Sequence, residues 1–382
     1  MNYGIIRFVL GRIMFVEAIL LVPSLAVAFI YKESLDTVSA FLITIAFLCA
    51  GGAALGIRKP EKTVFCAREG LVIVSLTWFL LSFFGAFPFI LSGSIPSFVD
   101  AYFETASGFT TTGASILIDV EAMPHSMLFW RSFTHLIGGM GVLVFTLAIL
   151  PKIGSNAVHI MKAEVPGPSF GKLVSKVHLT ARILYIIYLV LTALVVLLLV
   201  AGKMPVFDSL IHAFGAADTG GFSSKTASVA YYDSIYIDYI LSFAMLMFGL
   251  NFNLYYFLLL RKFKTVLRNE ELRWYVGIIA ASTLLICFFV YTGYDSAGRM
   301  VRDVFFTVSS IITTTGYTTV DFDKWPLPAH MVVLALMFCG AMAGSTGGGI
   351  KSSRIGIYVK TVIQEVRHYI SPNRRLPVIF DG

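Results

Sequence analysis

The sequence predicts an all-α polytopic membrane protein: two leading transmembrane helices, then three repeats of a span, a short pore helix and a second span. Three observations carry that prediction. The 382 residues are 57% hydrophobic and 13% charged, with a mean hydropathy of +0.82, whereas a soluble domain carries about 25% charge. Many apolar runs approach or exceed the ~20 residues that a spanning helix needs. Finally, a Thr-Gly turn recurs between apolar runs, with its glycines at Gly113, Gly220 and Gly316, intervals of 107 and 96 residues. A polar turn repeated about every hundred residues between hydrophobic hairpins implies a pseudo-symmetric ion pore, each repeat giving one wall.

The elements follow in order. The run from Ile5 to Tyr31 is too long for the apolar core of a signal peptide and contains Glu17, so it reads as a retained helix, with Pro23 expected to bend it. A second span covers 38–57, followed by a basic loop over 58–68. The first repeat has spans over 70–91 and 126–150 with a short helix over 97–109. The second has spans over 181–200 and 235–260 around 206–217; the third has spans over 275–291 and 330–358 around 299–312. A 12-residue helix rises about 18 Å, so it enters roughly half a bilayer and turns back where its end is buried in protein or water. The expected segments are 1–62, 63–151, 152–262, 263–366 and 367–382.

Charge sets the expected orientation. With the Thr-Gly turns outside, the inner segments carry 22 of the 29 Lys and Arg, which matches the positive-inside rule and puts the N-terminus in the cytoplasm. The net charge of +7 is thus a topological signal, and nucleic acid is not an expected partner. Outer-side acids such as Asp100, Asp208 and Asp303, near the start of each short helix, either attract cations or are stabilised by the helix dipole. Cys49, Cys66, Cys287 and Cys339 form no CxxC pair, so neither a disulfide framework nor a transition-metal site is indicated.

The turns carry the chemistry. A dehydrated alkali cation needs oxygen ligands, and glycine allows consecutive carbonyls to face one way. The expected lining is Thr111, Thr112 and Gly113; Asp218, Thr219 and Gly220; and Thr314, Thr315 and Gly316. Asp218 is either a charged group at the lining or the cap of a backbone turn. The last span is interrupted by Gly340, Ala343, Gly344, Ser345, Thr346, Gly347, Gly348 and Gly349, with Lys351 just beyond. Five glycines in ten residues make a poor helix interior, so this stretch reads as an irregular gate lining a cavity, or as a cytoplasmic turn. A phosphate loop fails because Ile350 stands where Lys is required. The seven histidines show no metal-binding pairing; His212, four residues after Asp208, reads as a local hydrogen bond. Arg131, within an apolar span, needs a carboxylate partner, and Glu104 is the candidate. No catalytic constellation is visible, so an enzyme is not expected.

Taken together, Thr-Thr-Thr-Gly-Ala, Thr-Gly-Gly-Phe-Ser, Thr-Thr-Thr-Gly-Tyr and Ala-Gly-Ser-Thr-Gly-Gly-Gly-Ile-Lys resemble the Trk/Ktr potassium-uptake family over the whole chain, most closely its TrkH-type membrane subunits. The resemblance implies a pseudo-tetrameric potassium-channel-like fold, with potassium as substrate and no bound cofactor. It further implies a gating loop in the third repeat, a homodimer, a cytosolic nucleotide-binding (RCK/TrkA-type) regulatory partner, and a multi-pass location in a prokaryotic cytoplasmic membrane. The family has four pore repeats, and Asp218 departs from the small polar residue expected there. The sequence to Gly382 holds three repeats and a basic stretch resembling the linker into a fourth, so a fragment lacking the fourth wall is an open reading. A cation-coupled symporter with broken helices is the other.

Overall fold

The computed structural model describes residues 1–57, 67–139, 141, 177–370 and 380. Among them every regular element is helical, as a chain crossing lipid requires unless it closes a barrel. The basic loop over 58–66, the loop over 152–176, the end of the span predicted to 150 and the stretch 371–379 lie outside the described residues.

The chain forms two compact units. The first comprises Met1–Val200 with Pro205–Thr226, and the second Ala201–Met204 with Ala227–Gly382.

In the first unit, α1 (Tyr3–Ile30) continues through Pro23 and packs along α2 (Leu35–Gly56). Small residues allow the close approach: a Cβ on Gly11 would lie 2.8 Å from the Gly56 nitrogen and 2.9 Å from the Gly52 oxygen, the geometry that small-residue stripes give helices in lipid. Next come α3 (Ala67–Gly85) and α4 (Phe87–Leu91); the two together form one spanning segment, Arg68–Leu91. The first short helix, α5 (Phe98–Phe109), starts at an N-cap where the Asp100 N–H donates to Ser97 Oγ at 3.4 Å, one of the donors a helix start leaves open. It packs on α6 (His125–Gly139). Trp130, fully buried on α6, donates its indole N–H to the Gly85 carbonyl at 2.9 Å. The long apolar α7 (Val177–Ala201) and the second short helix, α8 (Val206–Ala217), follow.

In the second unit, the span expected over 235–260 is broken. α9 (Ile235–Phe248) and α10 (Phe252–Leu259) meet at 94°. Asn251 caps the restart: its side chain accepts the Asn253 N–H at 2.9 Å as the helix resumes in a new direction. A short α11 (Phe263–Arg268) leads into α12 (Glu270–Val290), then the third short helix, α13 (Ala297–Ile312), and α14 (Leu327–Phe338). After an irregular stretch, α15 (Ser352–Ile370) ends the described helices. The predicted break of the last span is therefore present. Asp303 differs from expectation. α13 begins one turn earlier than its counterparts, so Asp303 lies in the second turn rather than at the helix start. There it is buried and meets Arg299 at 3.7 Å and Arg302 at 3.3 Å. Arg302 also reaches Asp238 of α9 at 3.4 Å.

Among the described residues, five helical segments are long and apolar enough to cross a membrane, or six if the bent pair counts as one span.

Candidate functional site

The three turns share one backbone conformation. Each short helix is followed by a threonine with positive φ: Thr111 at 56°, Thr219 at 56° and Thr314 at 62°. Two residues later comes a glycine with positive φ: Gly113 at 75°, Gly221 at 81° and Gly316 at 86°. A β-branched residue in the left-handed region is an outlier, at roughly 1–3 kcal/mol each. Its appearance at the same place three times marks a common constraint. The hydrogen bonds repeat as well. Thr111, Thr219 and Thr314 donate N–H to the carbonyls of Gly108, Ala216 and Ile311, and Thr112, Gly220 and Thr315 to those of Ser107, Gly215 and Ser310.

This register corrects the sequence reading. The counterpart of Gly113 and Gly316 is Gly221, and Gly220 stands where the other turns have Thr112 and Thr315. The signal was in the chain: Asp100, Asp208 and Asp303 each precede the turn glycine by thirteen residues only when that glycine is Gly221.

The same register accounts for Asp218. It occupies the C-cap position held by Thr110 and Thr313. In those turns the cap hydroxyl meets the hydroxyl two residues on, Thr110 with Thr112 and Thr313 with Thr315, each at 2.8 Å. Gly220 has no hydroxyl to offer, and Asp218 Oδ1 accepts its backbone N–H at 3.1 Å instead. Asp218 is fully buried. The structure thus places it as the cap of the turn. Its Oδ2 lies 3.1 Å from His135 Nδ1, and the His135 ring stacks on Phe222 with centroids 3.9 Å apart.

Within the first unit the first two turns touch. A Cβ on Gly113 would sit 1.7 Å from the Gly220 carbonyl oxygen. Behind them lies the expected ion pair, with Arg131 Nε 2.5 Å from Glu104 Oε1 and both side chains buried. Glu104 accepts from Ser115 Oγ at 2.9 Å and the Ile116 N–H at 3.0 Å. Arg131 donates to the Ser223 carbonyl at 3.3 Å and lies 3.4 Å over the Phe222 ring. The pair therefore ties the segment leaving the first turn to the segment leaving the second. His212 stands where Glu104 does, nine residues before its glycine. Its Nδ1 meets the Asp208 carbonyl at 2.8 Å, the local bond expected, so in the neutral ring Nε2 accepts from Ser223 Oγ at 3.0 Å. Sequence reasoning overlooked His135, although its spacing of four from Arg131 places both on one helix face.

In the second unit the glycine-rich stretch abuts the third turn. The Gly348 N–H donates to Thr314 Oγ1 at 2.8 Å. At its neck, the Gly340 N–H donates to the Ile350 carbonyl at 2.8 Å and the Ile350 N–H to the Phe338 carbonyl at 3.1 Å. Inside the loop, Lys351 is buried and donates to the Gly347 carbonyl. The loop also fills the hydrogen bonds that the α9–α10 break leaves open. The Met342 N–H donates to the Gly249 carbonyl at 3.0 Å, the Phe252 N–H to the Gly344 carbonyl at 3.1 Å, and Thr346 Oγ1 to the Phe248 carbonyl at 3.2 Å. Gly340, Ala343, Gly344, Ser345, Thr346, Gly347, Gly348 and Gly349 therefore form one folded body beside the third turn rather than a mere connection.

Comparison with known proteins gives a consistent picture. A family model described as TrkH, cation transport protein, matches residues 37–382. The chain is similar to the Trk system potassium uptake protein TrkH of Salmonella typhimurium, 37% identical across 98% of this chain and 78% of that protein. It is similar to the Trk system potassium uptake protein TrkG of Escherichia coli, 33% identical across 99% of this chain and 79% of that one. Among solved structures it is similar to the potassium transporter TrkH from Vibrio parahaemolyticus, with a TM-score of 0.87 and 28% identity across 100% of this chain and 80% of that one.

Proposed function

The chain belongs to the TrkH family of cation transport proteins, and from that premise we propose that it takes up potassium across the membrane, each turn presenting main-chain carbonyls to the dehydrated ion. The observation that carries this reading is the threefold repetition of a strained threonine followed by a left-handed glycine at the end of a short helix. Helix C-termini hold about half a negative charge, so three such ends favour a cation at the turns they precede. The groups we assign to the lining are Thr111, Thr112 and Gly113; Thr219, Gly220 and Gly221; and Thr314, Thr315 and Gly316. Asp218, facing His135 and the Gly220 amide, sets the shape of its turn. The glycine loop acts as the gate, its bond from Gly348 to Thr314 holding it against the third turn.

Charge asymmetry supports an N-terminus in the cytoplasm, and the family resemblance alone supports a homodimer and a cytosolic nucleotide-binding regulatory subunit. Rubidium uptake into vesicles tests the core of the proposal. Gly113→Asp and Gly316→Asp abolish uptake, and deletion of 343–348 raises it. Uptake unchanged by either glycine substitution refutes the assignment of the turns.

A further inference from the structure

The neck of the glycine loop is held from outside by one buried carboxylate. Glu271, in the first turn of α12, is 5% exposed. Its Oε1 accepts from the Ala343 N–H at 2.8 Å, the Ser353 N–H at 3.1 Å and Ser352 Oγ at 3.2 Å. Ala343 lies where the chain enters the loop, and Ser352 and Ser353 where it leaves and α15 begins. One carboxylate oxygen therefore gathers both ends of the loop, while the first backbone amides of α15 supply the positive end of a helix dipole. The neighbouring Glu270 pairs with Lys360 of α15. Consecutive acids on α12 thus grip α15 at two places, one of which also grips the loop.

We propose that Glu271 is the positioning residue that clasps the glycine loop shut and couples it to α15. The proposal rests on reading the loop as a gate. A carboxylate accepting from main-chain N–H groups makes stronger hydrogen bonds than a neutral acceptor, and buried among its partners it cannot be replaced by water. Movement of α15 away from α12 withdraws Ser352 and Ser353 from Glu271 and leaves Ala343 holding one side alone. The loop then loses its closed neck, and the bond from Gly348 to Thr314 loses its support. Glu271 touches no permeating ion in this account; it acts through the loop.

The test is rubidium uptake by the full chain in vesicles, comparing the parent, Glu271→Ala, Glu271→Gln, the 343–348 deletion, and the deletion combined with Glu271→Ala. The expected result is uptake raised roughly tenfold by Glu271→Ala, the effect of losing hydrogen bonds to a charged acceptor. Glu271→Gln, which keeps an amide oxygen, gives an intermediate rise. In the deletion background Glu271→Ala adds nothing. Hydrogen–deuterium exchange over 338–355 supplies a second readout, with the amides of Ala343 and Ser353 exchanging faster in both point variants. If Glu271→Ala does not fold, Glu271→Gln and its exchange profile decide the matter. Uptake and exchange at parent levels in Glu271→Gln, or a further rise from Glu271→Ala on top of the deletion, overturns the clasp. A deletion that leaves uptake unchanged refutes the gate itself, so the two failures are told apart.

Discussion

Gly113 and Gly316 hold the same place in their turns but meet different surroundings, and alanine at each position separates backbone strain from steric exclusion. Their φ angles are 75° and 86°, where an L-residue is disfavoured by roughly 1–2 kcal/mol. Gly316 has no atom within 4 Å of a built Cβ, whereas the Cβ at Gly113 falls 1.7 Å from the Gly220 oxygen. Relieving that overlap moves the first turn against the second and adds about 1–3 kcal/mol of overpacking. The sums are about 1–2 kcal/mol for Gly316→Ala and about 2–5 kcal/mol for Gly113→Ala. If uptake follows the population of the native turn, at about 1.4 kcal/mol per tenfold, Gly316→Ala reduces rubidium uptake by roughly tenfold and Gly113→Ala by about a hundredfold or more. The assay is initial-rate uptake in vesicles, normalised to folded protein. Equal losses at the two sites, or a larger loss at Gly316, refute the argument, because it assigns the difference to one carbonyl.

Two further outcomes follow from the buried groups. Glu104→Gln or Arg131→Gln leaves its partner uncompensated and lowers stability by about 3–5 kcal/mol, while the double variant loses less than the sum; strictly additive shifts in thermal unfolding of detergent-purified protein argue against the coupling. Asp218→Asn keeps the acceptor for the Gly220 amide and is well tolerated, whereas Asp218→Ala removes the cap bond and leaves that N–H its Gly215 carbonyl alone, a loss of about 0.5–1.5 kcal/mol. Equal unfolding temperatures for the two variants contradict the capping role.

Much of this fold was legible because membrane helices announce themselves by length and apolarity. The first two short helices matched their predicted bounds to within a residue, since Ser97 and Pro205 mark their starts. The pairing of Arg131 with Glu104 was legible for a related reason: a cation inside an apolar span must find a carboxylate. The register of the second turn was not read from the Thr-Gly pair, because Gly220 and Gly221 are adjacent and composition alone does not say which takes the left-handed conformation. The aspartate thirteen residues earlier does. The break at 249–251 was hidden for a different reason. Its hydrogen bonds are made by residues around position 344, and no local pattern in 235–260 reports partners so distant. Nothing in the sequence singles out Glu271, four residues before the span predicted from 275, and only the return of the loop gives it three donors.

The bend between α9 and α10 also constrains how the protein is made. Thr346, which takes the Phe248 carbonyl, lies 98 residues further along the chain. At synthesis rates of about 5–20 residues per second, roughly 5–20 s pass before it emerges. Throughout that interval the Phe248 carbonyl and the Phe252 amide lack their final partners. Backbone polar groups exposed to hydrocarbon are costly, so the bend in the second repeat reaches its final hydrogen bonding only when the third repeat supplies the loop.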